Sequence, residues 1–178
     1  MNLTTDFTFE SLTNDCRRQL AAAAYHLCGD RDAAQDIVQE TLLDAYRGFD
    51  GLRDARKAKS WLYAILRRKV IAHRKARRPE MPLAEDIKAP ESDSTEALVR
   101  GIVVRQIDML DRADREVLAG KYLLGLSYQE LAESLGVSEG SLRVRCLRAK
   151  ERLRAALKGS GVNVPDGRGK AKGDDDGM

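Results

Sequence analysis

Residues 126–154, LSYQELAESLGVSEGSLRVRCLRAKERLR, decide how the rest of the chain is read. Ser127 followed three residues later by Glu130 is a capping box: the hydroxyl accepts from an orphan backbone N–H of the first helical turn, and the carboxylate reaches back to the cap. Leu131, Ala132 and Leu135 give the short helix one apolar side, and Ala132 is small where a second helix must cross closely. Gly136 adopts positive φ at no steric cost, so the chain turns sharply, and Ser138 caps the next helix. That helix spaces Leu142, Cys146, Ala149 and Leu153 for burial and carries Arg143, Arg145, Arg148, Lys150, Arg152 and Arg154 on its other faces. Together these features predict a helix-turn-helix. In that motif the start of the second helix meets base edges in the major groove, while cations farther along meet phosphates. Ser138, Ser141, Arg143, Arg145 and Arg148 are the candidate DNA contacts here.

Upstream, apolar positions again recur at helical spacing: Phe9, Leu12, Cys16, Leu20, Ala23 and Leu27, then Ala34, Ile37, Val38, Thr41, Leu42, Ala45 and Phe49. Gly29 and Asp30 separate these two helices and Gly51 follows the second, each glycine standing where a left-handed residue ends a helix. A third helix over about 60–77 aligns Trp61, Leu62, Ile65, Leu66 and Val70, and Pro79 stops it. Residues 79–94 hold Pro79, Pro82 and Pro90 among acidic and small residues, the composition of a flexible linker. Helical spacing resumes near Thr95 with Leu98, Ile102 and Ile107, and Asp111 and Asp114 mark a further helix start. Residues 159–178 are Gly, Lys and Asp with hardly an apolar group, and read as a disordered tail. The expected fold is all-α: two small helical domains, 8–78 and 95–157, joined by the linker.

The net charge of +3, from 31 basic and 28 acidic residues among 178, hides a strong alternation. Residues 1–50 carry four basic and nine acidic residues, 51–79 eleven and one, 80–96 one and six, and 97–158 twelve and eight. The basic stretches are the candidates for nucleic acid. Arg67, Arg68, Lys69, Arg74, Lys75, Arg77 and Arg78 crowd the third helix beside its apolar stripe, after Trp61 and Tyr63. Cations track phosphates and aromatic rings stack on unpaired bases, so this pairing suits DNA that must be opened; the Trp61 ring reads equally as core. The second helix sets Asp36, Gln39, Glu40 and Asp44 away from its apolar side with Leu43 among them, either a solvated acidic face or a protein-docking patch.

Several classes are excluded. There is no apolar run of about 18 residues for a membrane span and no secretion signal in residues 1–10, so a cytoplasmic protein without membrane insertion is expected. Three widely spaced cysteines form neither a disulfide framework nor a zinc site, and His26 with Cys28 supplies only two ligands, so neither metal nor cofactor is expected. No set of carboxylates clusters with His, and no serine has partners for nucleophilic chemistry, which argues against an enzyme such as a recombinase.

Asp32-Ala-Ala-Gln-Asp-Ile-Val-Gln-Glu-Thr-Leu-Leu43 followed by Ser60-Trp-Leu-Tyr-Ala-Ile65 resembles the polymerase-docking and promoter-opening domain of extracytoplasmic-function (ECF) sigma factors, a subfamily of the sigma-70 family of bacterial RNA polymerase sigma factors. Asp114-Arg-Glu-Val-Leu118 and Tyr122-Leu-Leu-Gly-Leu-Ser-Tyr-Gln-Glu-Leu-Ala132 similarly resemble their C-terminal domain, and the likeness spans residues 8–157. The resemblance implies a sigma-2-like domain over 8–78 and a sigma-4-like domain over 95–157. It implies that Asp36, Gln39, Glu40 and Leu43 bind the β′ clamp helices of core RNA polymerase, and that the β flap is a further contact. Loop 51–60 and the third helix, through Lys59, Trp61, Arg67, Arg68, Arg74, Arg77 and Arg78, would recognise and melt the −10 element of promoter DNA, holding a flipped base. The helix-turn-helix would read the −35 element and the linker would thread through the polymerase. Members of the family are often held by an anti-sigma factor, which is the further partner the resemblance implies. Loop 51–60 is more basic than the family pattern, and its base-contacting residue is not assigned. The competing reading is a stand-alone helix-turn-helix regulator that binds a palindrome as a dimer, for which the sequence offers no dimerisation element.

Overall fold

The computed structural model describes residues 8–76 and 95–162. Among them lie seven α-helices: α1 (Phe9–Cys28), α2 (Arg31–Gly48), α3 (Ala58–Ala76), α4 (Thr95–Asp108), α5 (Arg112–Leu118), α6 (Tyr128–Leu135) and α7 (Glu139–Gly159). The predicted linker, the predicted tail beyond residue 162, and Arg77 and Arg78 lie outside the described residues.

Local chemistry sets the helix ends. Thr8 caps α1 in a reciprocal box with Ser11, and Gly29 closes it in the left-handed conformation at φ 78°. Asp30 then accepts from Ala33 N at 2.9 Å and starts α2, so the chain reverses within two residues and α1 and α2 pack as a hairpin. After α2 the outcome differs from expectation. Gly51 does not take positive φ; residues Phe49–Gly51 tighten into a 3₁₀ turn, and a second such turn over Ala55–Lys57, capped by Asp54, leads into α3. An i→i+3 turn closes the helix without a left-handed residue, so the glycine was not needed for its φ.

Helices α1 to α3 bury Leu12, Cys16, Leu20, Leu27, Ile37, Val38, Ala45, Leu62, Ile65, Leu66 and Val70 against one another. In the second half, α5 runs into a π-helical turn, Ala119–Leu123, in which Leu124 N reaches Ala119 O at 3.2 Å. The extra residue of this turn re-aims the chain into α6 and lets Leu124 and Leu126 point inward, both fully buried. The cluster formed by Val117, Leu118, Leu124, Leu126, Leu131, Leu142, Cys146 and Ala149 is continuous with the core of the first half.

The two halves are thus in contact. The Tyr63 hydroxyl, fully buried, donates to Glu116 O at 2.6 Å across the junction. Arg67 Nε donates to the Glu116 carboxylate at 3.0 Å, and Arg112 Nε approaches the other oxygen at 2.7 Å. Arg115 donates to His26 O at 3.2 Å, while Asp108 stands 3.6 Å from His26 Nδ1. A methyl on Gly120 would collide with the Leu131 side chain and lie 3.2 Å from Tyr63 Cε1, so the glycine lets α6, α3 and the π turn meet closely.

Candidate nucleic-acid interface

The helix-turn-helix is built as its sequence dictates. Ser127 N donates to Glu130 Oε2 at 2.8 Å and Ser127 Oγ accepts from Glu130 N at 3.2 Å, completing the capping box of α6. Gly136 sits at φ 68° and Ser138 Oγ accepts from Ser141 N at 3.2 Å to start α7. Leu142, Cys146 and Ala149 are buried as expected, while Leu153 is only partly so.

Of the candidate readers, Ser138, Ser141, Arg143, Arg145 and Arg148 are all exposed, but their surroundings differ. Arg143 pairs with Glu139 one turn earlier, and its guanidinium lies 4.6 Å from the centre of the Tyr128 ring. Arg145 stands 3.6 Å from Asp114 and 3.9 Å from Asp111, and Arg152 stands 2.5 Å from Asp114 and 3.2 Å from Asp111. Asp114 is fully buried, and neither oxygen has a partner aligned as a hydrogen bond, so charge alone holds it. Burial pushes its pKa up and Asp111 adds to that, while Arg152 and Arg145 pull it back. Asp111 moves the other way: the backbone N–H of Asp114 first, then Arg152, holds its carboxyl below the usual range. These two acids tie α5 to α7 through Arg152 and through Arg145, which the sequence analysis names as a candidate DNA contact.

The basic helix α3 divides in the same manner. Lys59 and Arg68 are exposed. Trp61 is half-buried, its ring closing on the end of α2, where Cζ2 would lie 3.3 Å from a methyl on Gly48. Tyr63 corrects an expectation: its ring is wholly buried at the junction and cannot stack on a base in this conformation. Arg67 is likewise turned inward to Glu116. Arg74 is partly buried, and desolvation, followed by Arg115 and Arg112, lowers its pKa.

On α2, Asp36, Gln39, Glu40 and Leu43 are all exposed, at i, i+3, i+4 and i+7, so they form one stripe. Leu43 is 56% exposed and Tyr46, next along the helix surface, 69%. Lys69 of α3 approaches this stripe from the side, 3.3 Å from Glu40 and 2.7 Å from Asp44, and its hydrogen bond lowers the pKa of Asp44. Among the described residues, no group of three or more His, Cys, Asp or Glu side chains is arranged to hold a metal ion, and no helix is long and apolar enough to cross a membrane.

Residues 12–80 match the sigma-70 region 2 family and residues 100–153 match sigma-70 region 4, in the order of the two helical halves. The chain is 31% identical over 153 residues to the ECF RNA polymerase sigma factor SigL of Mycobacterium tuberculosis, covering 78% of this chain and 82% of that protein. The chain belongs to the ECF subfamily of sigma-70 factors. The ECF RNA polymerase sigma factor SigM of Bacillus subtilis is 27% identical over 90% of this chain and 99% of its own. Among solved structures, CnrH in complex with the cytosolic domain of CnrY matches with a TM-score of 0.63 and 26% identity, over 85% of this chain and 88% of that one. The sigma factor RpoE of Bartonella quintana, solved with the anti-sigma factor NepR, shares the fold with a TM-score of 0.66 at 24% identity, over 84% and 96%. The function that follows is that of an RNA polymerase sigma factor acting in promoter-specific transcription initiation, a regulatory role in family members that are not themselves enzymes.

Proposed function

We propose that this ECF sigma factor grips core RNA polymerase with the exposed stripe of α2 and lays its two basic surfaces on separate promoter elements. Asp36, Gln39, Glu40 and Leu43 form the polymerase contact, directed at the β′ clamp helices, with the β flap as a second contact for the C-terminal half. The observation that carries the reading is the stripe itself: a large apolar side chain, Leu43, stands in solvent between carboxylates on one helix face while the opposite face of α2 fills the core. An exposed leucine ringed by acceptors suits a partner that offers an apolar socket with a basic rim.

Domain 8–78 with loop 51–60 acts on the −10 element, where Lys59, Arg68, Arg74, Arg77 and Arg78 would neutralise phosphates and Trp61 would stack on an opened base. Domain 95–157 acts on the −35 element through Ser138, Ser141, Arg143, Arg145 and Arg148. Arg67 joins the first set only after it leaves Glu116. Because RpoE of Bartonella quintana, which shares this fold, was solved with the anti-sigma factor NepR, an anti-sigma factor is the regulator we expect for this chain.

The test is core binding by the Glu40→Lys and Leu43→Ala variants. Each should bind core polymerase at least tenfold more weakly with little change in thermal stability, because both side chains are exposed and the Glu40–Lys69 pair that the first variant breaks lies at the surface, where such pairs contribute little. Unchanged binding by both would remove α2 as the polymerase contact.

A further inference from the structure

The flanks of the recognition helix are already occupied. Arg145 and Arg152 lean on Asp111 and Asp114 on one side, while on the other Arg143 covers Tyr128 at 4.6 Å and Lys150 stands 5.5 Å from the Tyr122 ring. At about 100° of turn per residue, the strip farthest from the buried Leu142, Cys146 and Ala149 contains Gly140, Val144, Leu147 and Glu151, with Arg148 and Ser141 at its edge; of its two exposed apolar side chains Val144 stands nearer the helix start that meets base edges. Val144 lies about 160° round from Cys146, on the crest of that strip, and is 49% exposed. Gly140, one turn before it, has open space where a Cβ would stand, which lets a surface come close to the crest.

We infer that Val144 is a specificity-determining residue that reads a thymine in the upstream promoter element through its 5-methyl group, and that Arg145 positions the helix rather than reading a base. The inference rests on the sigma-factor reading above. In the major groove thymine alone presents a methyl group, and it is read by apolar contact. Valine suits that contact because branching at Cβ leaves it one dominant rotamer in a helix, so its methyls are placed with little entropy to lose on binding. Ser141 and Arg148, at i−3 and i+4, flank it with a hydroxyl and a guanidinium able to reach neighbouring base edges or phosphates. Arg145 cannot serve the same crest without leaving the fully buried Asp114 to Arg152 alone.

The experiment uses the chain assembled with core polymerase. Transcripts from a promoter library randomised upstream identify the preferred element, and each thymine in it is then replaced by deoxyuridine, which removes only the methyl group. One position should lose about fourfold in initiation, the value of one buried methyl contact. Val144→Ala should initiate equally from thymine and deoxyuridine at that position and keep the parent melting temperature. Arg145→Ala should melt earlier yet keep the base preferences of the parent. The inference is overturned if the selected element lacks thymine, if every deoxyuridine is neutral, if Val144→Ala keeps the parent's thymine-to-deoxyuridine ratio, or if Arg145→Ala changes preference at one base without lowering stability. A library that yields no site-specific transcripts at all overturns the sigma-factor reading instead, and this inference with it.

Discussion

Replacing Tyr63 by Phe deletes one oxygen and tests whether the two halves are a single cooperative unit. The hydroxyl is wholly buried and donates to Glu116 O at 2.6 Å, across the junction between α3 and α5. The Glu116 carbonyl also accepts from Ala119 N, so the substitution does not leave it bare. The loss is therefore the net value of one neutral hydrogen bond, about 1 kcal/mol, and the phenyl ring keeps its packing against Gly120. In a protein of this size that lowers the melting temperature by roughly 2–4 °C. The sign carries the argument. If the first half stood alone, the Tyr63 hydroxyl would face water, and Phe would be neutral or stabilising. The measurement is urea and thermal unfolding of the full chain, followed by far-ultraviolet circular dichroism and by Trp61 fluorescence. Coincident transitions, both lowered by about 1 kcal/mol, are expected. Two separate transitions with the Trp61 signal unmoved would refute the shared core.

Four further outcomes follow. Gly120→Ala should cost about 1–3 kcal/mol by driving a methyl into Leu131, measured by urea unfolding. Asp114→Ala should leave Arg145 and Arg152 with Asp111 alone and lower the unfolding free energy by roughly 1–2 kcal/mol, less than for a fully buried pair because both arginines are about half exposed and rehydrate. The Asp111 carboxyl has a folded pKa below its unfolded value, so its contribution is full above the unfolded pKa and disappears as pH falls through the folded one. Acid titration should therefore weaken the α5 cap, and Asp111→Asn should flatten that part of the stability profile. Arg148→Ala should reduce the salt dependence of promoter binding by about one counterion, while Arg152→Ala leaves the slope near that of the parent.

The closed arrangement also bears on how the protein works. Elements centred at −10 and −35 are roughly 25 base pairs, about 85 Å, apart on a duplex, whereas a compact body of the described length is about 40 Å across. On the proposed assignment, the two surfaces cannot both meet their elements while Tyr63 and Arg67 hold Glu116. Fluorescence energy transfer between dyes on the two halves should fall when core polymerase is added, and stay constant if the closed form is the one that binds.

Much of this was legible in the sequence because it is local. The capping box at Ser127 and Glu130, the left-handed Gly29 and Gly136, the cap at Ser138 and the buried positions of α1, α2 and α7 follow from hydrogen-bonding inventory and helical period. The exposed stripe of α2 followed from spacing too, although only family likeness gives it a partner. What escaped depends on long-range contacts. The period that put Leu62 and Leu66 inside left Tyr63 outside, yet a second apolar surface covers it and Glu116 receives its hydroxyl. The basic faces of α3 and α7 read as uniform because charge in a sequence does not say which acid lies opposite; Arg67, Arg145 and Arg152 face Glu116, Asp114 and Asp111. The π turn at Ala119–Leu123 and the need for Gly120 carry no local pattern, since both arise from three elements converging. Gly51 shows the opposite error, a glycine after a helix that a 3₁₀ turn made unnecessary.

The most direct measurement is in vitro transcription of genomic DNA by core RNA polymerase with and without this chain, with transcript 5′ ends sequenced. Discrete start sites should appear only with the chain present, share two upstream elements at fixed spacing, and vanish with Glu40→Lys. Start sites identical with and without the chain, while it binds duplex DNA by itself, would contradict the account.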